Sequence, residues 1–416
     1  MYKLLQRILA VMLTSFCLFP IALKSFPSVN FKMILAVFGL SLFIYANAIR
    51  EKGRISYALY VLSLLAGLIS FIGFVSLDIN QTNDFVFATY VVSMWVWFFA
   101  AYAVCAFIRW VHVDADILLI GKYLVIVCVL QCILALWINN STDFQILIDT
   151  YLDVNQDSLK EVNRLYGIGA YLDVAGIRFS CVLILIVHII LFEEGKSKFS
   201  LVGYWSAFII IAIVGNMIAR TTITGVVVSL LYFGYVSMNW DISVKMENLR
   251  KYIALIIACV VFISIAIYFY NANMVLREQI RYGFEGFFNW IEKGKWETDS
   301  TDVLKNMYVF PETLKTWIIG DGLMTDPVDP DKFYMRTDVG YLRFIFYFGL
   351  LGLAAYIIFY VFAMIAGMKI FPQHKEVFIL LFIVNMIVWF KVSTDTFVVF
   401  AFLLNAYNLN GKRHVW

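Results

Sequence analysis

Long runs of apolar residues, separated by short polar segments, repeat along most of this 416-residue chain. A helix needs about 20 apolar residues to cross the hydrocarbon core of a bilayer, and these runs have about that length. Transmembrane strands are shorter and less uniformly apolar, so the runs predict helices. We predict an all-α polytopic integral membrane protein with about 12 transmembrane helices. The predicted spans are Leu4–Leu23, Lys32–Ile49, Ser56–Leu77, Phe85–Ile108, Ile117–Ile138, Gly176–Phe192, Phe199–Ile218, Thr221–Met238, Tyr252–Tyr270, Val339–Met364, Val377–Phe390 and Thr396–Leu409.

Two polar segments are much longer than the others, Asn139–Ala175 and Asn271–Thr337. The short loops on one side of the spans hold most of the lysines and arginines, which predicts that these loops and both termini are cytoplasmic. Both long segments then lie outside. The predicted organisation is residues 1–138 with transmembrane helices 1–5, 139–175 as the first long loop, 176–270 with helices 6–9, 271–337 as the large loop, and 338–416 with helices 10–12.

The composition supports the same class of protein. Hydrophobic residues make up 62% of the chain and charged residues 15%, whereas a soluble domain carries about 25% charged residues. The net charge of +3 follows from the basic cytoplasmic loops and indicates no nucleic-acid partner. The six cysteines all fall in predicted spans without metal-ligand spacing, and the four histidines lie on or near the cytoplasmic side, so neither indicates a metal site.

The end of the first long loop is rich in glycine and aromatic residues, and Arg164 and Arg178 bracket this stretch. Glycine lets the backbone approach a ligand closely. Arginine presents a planar fork that binds phosphate through two hydrogen bonds. The stretch therefore indicates an anion site, and the alternative is that both arginines only extend to lipid headgroups.

A second arginine, Arg220, occupies a very tight turn between two predicted spans on the outer side. The following helix begins at Thr221 or Thr222, either of which is a suitable N-cap, and a helix N-terminus favours an anion. An arginine here indicates either an anion site or an interfacial anchor.

The large external loop contains two groups of charged residues. Arg277 and Arg281 lie four residues apart, so they share a face if this stretch is helical. Arg336, Asp338 and Arg343 enter an apolar helix, where charge is costly and is usually functional.

The carboxylates Glu312, Asp321 and Asp338 are candidate acids or bases, because a general base needs only a suitable pKa and hydrogen-bonding distance to a substrate hydroxyl. The alternative for each is an ordinary solvated carboxylate.

The order of these features resembles the bacterial O-antigen polymerase and ligase superfamily, the Wzy-like membrane glycosyltransferases. The similarity covers roughly residues 120–365. The matching pieces are Arg164-x-x-Gly167-x-Gly169, Ala219-Arg220-Thr221, Gly320-x-Gly322, Asp338-x-Gly340-Tyr341-Leu342-Arg343 and Phe348-Gly349-Leu350-Leu351-Gly352. The Asn-Pro that typically follows the glycine-rich stretch in this family is Asp173-Val174 here.

The resemblance implies a GT-C-like fold with two long periplasmic loops, in the bacterial inner membrane. It implies a repeat-unit polymerase that transfers a growing glycan from undecaprenyl pyrophosphate to the next lipid-linked repeat, without a metal or another cofactor, in O-antigen or capsule biosynthesis. A chain-length regulator and a flippase are the implied protein partners.

By the same resemblance, Arg164 and Arg220 are catalytic and Asp338 acts as the base or orients the acceptor. The residues implied to bind pyrophosphate or glycan are Arg178, Arg277, Arg281, Arg336, Tyr341 and Arg343. An O-antigen ligase typically has a histidine in its large loop, and residues 271–337 contain none, which favours a polymerase. The alternatives are a ligase-type glycan transferase and a flippase or transporter of lipid-linked oligosaccharides.

Overall fold

The computed structural model describes residues 2–50, 56–113, 115–152, 164–193, 198–238 and 249–406, without the side chains of residues 48–50, 198, 199, 299 and 300. Most of this part of the chain is helical, as the apolar pattern predicts. Its α-helices, numbered in chain order, are α1 (Tyr2–Leu18), α2 (Phe31–Phe43), α3 (Tyr57–Asn80), α4 (Tyr90–His112), α5 (Ile117–Asn140), α6 (Thr142–Tyr151), α7 (Leu172–Phe192), α8 (Lys198–Ile218), α9 (Thr222–Ser237), α10 (Leu249–Ala272), α11 (Met274–Gly283), α12 (Glu285–Lys293), α13 (Asp299–Asn306), α14 (Leu314–Ile318), α15 (Gly340–Ile370), α16 (Lys375–Val388) and α17 (Phe397–Leu404). Helix α2 continues as a π-helix over Ile44–Arg50, and 3-10 turns cover Tyr334–Arg336 and Pro372–His374.

A short antiparallel ribbon follows α1, in which β1 (Ala22–Leu23) pairs with β2 (Phe26–Asn30). The first predicted span therefore ends early, because α1 stops at Leu18. Pro20 follows this end, and proline has no backbone N–H with which to continue a helix.

Seven of the described helices are long and apolar enough to cross a membrane: α3, α4, α5, α7, α8 from Ser200, α10 and α15. They indicate a multi-pass membrane protein. Each overlaps a predicted span. Two further apolar helices, Phe31–Asn47 and Thr222–Ser237, are shorter. Helix α17 has eight residues and ends at Leu404, whereas its predicted span runs on into residues 407–409, outside the described part. The count of twelve spans remains a prediction.

Helix α4 begins at Tyr90, five residues after the predicted start at Phe85. The Asp84 carboxylate just before this segment accepts hydrogen bonds from the backbone N–H groups of Met324 (2.8 Å) and Thr325 (3.2 Å). These bonds hold the segment in a turn, so its apolar residues lie outside the helix.

The described chain forms two compact units. The first unit contains residues 1–31 and 107–296, and the second contains 32–106 and 297–416. The large loop predicted at 271–337 is divided between them, because α11 and α12 belong to the first unit and α13 and α14 to the second. This loop is folded into four short helices rather than being irregular.

Helix α7 is the centre of the first unit. It packs against α5, α8 and α9, and 89% of its apolar stretch is buried inside the protein. For α10 the corresponding fraction is 11%, so most of its apolar surface faces outward. A helix that is apolar on all sides is typical of burial in protein or lipid. Helix α7 is buried in protein, whereas the apolar surface of α10 is suited to lipid.

Helix α15 is the centre of the second unit and packs against α3, α14, α16 and α17. It breaks at Phe348 and Gly349, where Gly349 has φ +65°. A Cβ atom there would lie 2.1 Å from the backbone oxygen of Ile318. Only glycine permits both this backbone conformation and this close approach between α15 and the end of α14.

Candidate functional site

The residues predicted to form the site fall into two groups, one in each compact unit. The first unit holds Arg164, Arg178, Arg220, Arg277 and Arg281, and the second holds Arg336, Asp338, Tyr341 and Arg343.

The backbone after Arg164 forms a tight turn that packs against the residues just after α1. The N–H of Gly167 donates to the carbonyl of Ala170 at 2.7 Å, and the side chain of Gln131 donates to the carbonyl of Ile168 at 2.9 Å. Gly169 has φ +75°, and a Cβ atom there would lie 2.8 Å from the backbone oxygen of Phe19, the residue after α1. The glycine-rich stretch therefore allows close packing of the backbone, which orients Arg164.

The turn that carries Arg220 is attached to the first turns of α7. Thr221 is the N-cap residue of α9, but its hydroxyl donates to the Asp173 carboxylate (3.1 Å) rather than capping the helix. The Ser180 hydroxyl donates to the carbonyl of Thr221 at 3.0 Å. Gly176 faces the same threonine closely, since a Cβ atom there would lie 2.0 Å from its hydroxyl oxygen. These contacts hold the Arg220 turn in a defined position.

Arg164 and Arg220 converge on the side chain of Tyr282 at the end of α11. The Arg220 guanidinium carbon lies 4.1 Å from the centre of the Tyr282 ring, and that of Arg164 lies 5.5 Å away. Glu285, the first residue of α12, forms an ion pair with Arg220 at 2.5 Å. We call Arg164, Arg220, Tyr282 and Glu285 the arginine cluster.

The arginine cluster is largely shielded from solvent. The side chains of Arg220 and Glu285 are 13% and 18% exposed. The Nε of Arg164 and the hydroxyl of Tyr282 are buried and have no hydrogen-bond partner among the described residues. The two guanidinium groups carry hydrogen-bond donors suited to an anion with several oxygen atoms. The cluster has the chemistry of an anion-binding site.

Arg178 lies in the second turn of α7 and is only 4% exposed. Its guanidinium carbon lies 5.6 Å from the centre of the Phe19 ring. The alternative that this side chain extends to lipid headgroups is wrong, because the residue is enclosed by protein.

Arg277 and Arg281 lie on one helix, α11, so they share a face as their spacing predicts. Both contact Tyr270 at the end of α10: the guanidinium of Arg277 is 5.0 Å from its ring, and Arg281 donates to its hydroxyl at 3.2 Å. Arg281 also forms an ion pair with Glu292 at 2.7 Å, and its hydrogen bond holds the pKa of Glu292 below the usual range. These two arginines connect α10, α11 and α12, and their role in substrate binding remains a prediction.

A cavity of about 230 Å³ lies beside the predicted charge group of the second unit. It is lined by Met307, Asp331, Lys332, Phe333, Arg336 and Asp338. Two consecutive residues at this place, Met335 and Arg336, have positive φ values of 56° and 52°. The Arg343 guanidinium carbon is 3.5 Å from the centre of the Phe333 ring.

The other predicted polar residues of the second unit make contacts within the fold. The hydroxyl of Tyr341 donates to the backbone oxygen of Met386 at 2.9 Å. Asp321 accepts a hydrogen bond from Thr316 (2.9 Å) and lies 3.7 Å from the amine of Lys315. The assignment of Tyr341 to glycan binding stays a prediction.

Two members of the arginine cluster, Tyr282 and Glu285, are not among the site residues predicted from the sequence. The available signal was the pattern Tyr282-Gly283-x-Glu285-Gly286, whose glycines are both buried. A Cβ atom at Gly283 would lie 3.1 Å from the side chain of Met217 in α8, so the pattern marks a close approach of two helices.

Within the described ranges, no group of three or more histidine, cysteine or carboxylate side chains is arranged to hold a metal ion. Comparisons of the chain with protein families, with curated proteins and with solved structures found no match.

Proposed function

We propose that this protein is a polysaccharide repeat-unit polymerase of the bacterial inner membrane. It transfers a growing glycan from undecaprenyl pyrophosphate to the next lipid-linked repeat unit at the periplasmic face. The proposal includes a GT-C-like fold of about twelve spans, cytoplasmic termini and two long periplasmic loops.

The observation that carries this proposal is the convergence of Arg164 and Arg220 on Tyr282. The two arginines are far apart in sequence, and each belongs to a different outward loop of the predicted topology. Charged groups are costly in a membrane protein unless they have a use. A pyrophosphate leaving group is an anion of the right chemistry for two guanidinium groups beside an aromatic ring.

In the proposed reaction, an acceptor hydroxyl attacks the first carbon of the glycan, and the bond from that carbon to the pyrophosphate oxygen breaks. The electron pair of the broken bond stays on undecaprenyl pyrophosphate, and the hydroxyl proton passes to a base. Arg164 and Arg220 stabilise the charge that develops on the leaving group. Asp338 is proposed as this base or as the group that orients the acceptor hydroxyl.

In this proposal, Glu285 holds the side chain of Arg220 in the absence of substrate. The ion pair at 2.5 Å orients the guanidinium before substrate binds. Substrate pyrophosphate then competes with the carboxylate for the same side chain.

The test is a gel of surface polysaccharide from a strain with this gene deleted. The strain is complemented with wild type, Arg220→Ala, Arg220→Lys or Lys305→Ala, the last removing a positive charge from the exposed surface of α13. We expect the deletion to leave single repeat units. Wild type and Lys305→Ala restore polymer, and Arg220→Ala, at normal membrane levels, does not. Rescue by lysine would show that charge suffices without bidentate binding.

Other outcomes distinguish the alternative functions. Full-length polymer retained on undecaprenyl pyrophosphate in the deletion strain would identify a ligase. Lipid-linked repeats held at the cytoplasmic face would identify a flippase. Full rescue by Arg220→Ala would contradict the proposed site.

A further inference from the structure

Helix α12 has an apolar face that the rest of the described chain leaves uncovered. Phe287, Trp290 and Ile291 lie at spacings of three and four residues and therefore share one side of the helix. Their exposed fractions are 47%, 54% and 62%. Trp296, just beyond the helix, is 68% exposed.

The opposite side of α12 is attached to the protein by polar contacts. Glu285 pairs with Arg220, and Glu292 pairs with Arg281. The backbone oxygen of Gly283, just before α12, accepts a hydrogen bond from Asn216 in α8. Because these contacts determine how α12 is rotated, its apolar side points away from the protein.

The contacts between α12 and α10 determine the depth of α12 relative to the bilayer. The 24 residues of α10 give it a length of about 36 Å, which exceeds the hydrocarbon thickness of about 30 Å, so its ends reach the interfacial layers. Tyr270 lies in the last turn of α10, and its ring stacks on Phe288 of α12 with 5.9 Å between ring centres. Helix α12 therefore lies at the level where α10 leaves the hydrocarbon.

We propose that the apolar face of α12 lies in the interfacial layer of a phospholipid bilayer. Exposed tryptophan and phenylalanine on one side of a short helix suit the boundary between headgroups and acyl chains. Lys293 and Lys295 follow this face, and their ammonium groups reach lipid phosphates while their aliphatic stems cover apolar surface. An interfacial α12 holds the arginine cluster at headgroup depth, whichever anion binds there.

A second copy of this chain fits the face less well than lipid does. A stable protein interface takes about 20–30 residues from each partner, and this face offers three residues on one helix with Trp296 beyond it. Lipid needs no matching surface and is continuous with the outward face of α10.

The test places a nitroxide spin label on either side of the segment in the full-length protein. Cys259, a half-exposed cysteine, is replaced by serine, and the remaining native cysteines are buried. Single labels are attached to Phe287→Cys, Ile291→Cys and, as the aqueous control, Glu278→Cys, an exposed position on α11. The proteins are reconstituted into nanodiscs of phosphatidylethanolamine and phosphatidylglycerol. Power saturation then compares collision with oxygen, which concentrates in lipid, and with a water-soluble nickel chelate.

We expect the ratio of oxygen to nickel accessibility to be several-fold higher at Phe287→Cys and Ile291→Cys than at Glu278→Cys. Adding Trp290→Glu to the Ile291→Cys protein should lower its ratio toward that of the control. A ratio at both apolar positions equal to the control would place the face in water and overturn the proposal. Low accessibility to both reagents, with spectral broadening that disappears on dilution with unlabelled protein, would also overturn it and identify a second copy as the occupant.

Discussion

At the residue scale, the aromatic ring of Tyr282 connects two arginines from distant parts of the chain. A guanidinium group over an aromatic ring contributes about 0.5–2 kcal/mol, depending on how far it is desolvated. Because the side chains of Arg164 and Arg220 both contact this ring, Tyr282 orients the positive charge of the arginine cluster and also packs against it.

Substitutions can separate the contribution of the Tyr282 ring from that of its hydroxyl. We expect Tyr282→Leu to reduce polymer formation by about fivefold or more, since losing two contacts of this strength costs at least about 1 kcal/mol of transition-state stabilisation. Tyr282→Phe keeps both contacts and should retain most of the activity. The measurement is the rate of polymer formation from lipid-linked repeats at matched protein levels. Equal activity of the leucine and phenylalanine variants would show that the ring does not position the arginines.

At the element scale, the packing of the Arg220 turn on α7 depends on a glycine. We expect Gly176→Ala to destabilise the protein by about 1–3 kcal/mol, the usual cost of overpacking a dense interior. The cause is the Cβ atom, which would lie 2.0 Å from the Thr221 hydroxyl oxygen and 2.8 Å from the Cβ atom of Ala219.

The control is Gly203→Ala in α8, where no atom lies within 4 Å of the added Cβ atom. This change should be neutral or stabilising, because alanine is a better helix former than glycine. Thermal unfolding in detergent measures both variants. A Gly176→Ala protein as stable as Gly203→Ala would contradict the close packing of the turn on α7.

The attachment of α12 to α11 should depend on pH. Arg281 lowers the pKa of Glu292, so the pair stabilises the folded state above the ordinary glutamate range, and this contribution is lost as pH falls through the lowered pKa. We expect Glu292→Gln to increase amide hydrogen exchange in residues 285–293 at pH 7. The difference from wild type should disappear in acid below the lowered pKa.

The pH experiment has a matched control in Glu278→Gln, on the exposed surface of α11, which should leave exchange in α12 unchanged. A difference between wild type and Glu292→Gln that persists unchanged at low pH would show that the pair does not hold α12.

At the scale of the whole molecule, the seven long apolar helices indicate a multi-pass protein, and the proposed topology predicts which segments face outward. Glu278 lies in the predicted periplasmic segment, and Gln373 lies in a predicted cytoplasmic turn between α15 and α16. Both positions are exposed. We expect a membrane-impermeant maleimide to label Glu278→Cys in cells with a permeabilised outer membrane. Gln373→Cys should be labelled only after the inner membrane is broken. The reverse pattern would invert the proposed orientation.

Local patterns predicted many elements correctly. The seven long apolar helices follow from the length of their apolar runs, and α11 places Arg277 and Arg281 on one face as their spacing predicts. The predicted start of α4 was wrong, because hydrogen bonds from residues 324 and 325 to Asp84 hold the preceding segment in a turn. Residues 324 and 325 lie about 240 positions from Asp84 in the sequence, so no local pattern contains these contacts.

The sequence alone determined that this protein is helical, apolar and multi-pass, because the length and composition of each run decide whether it can cross a bilayer. It also singled out Arg164 and Arg220 as candidates for an anion site. Only the tertiary structure placed both beside Tyr282, paired Arg220 with Glu285 and enclosed Arg178 in protein. These relations depend on how α7, α8, α11 and α12 pack, and packing is a property of distant residues in contact rather than of neighbours along the chain.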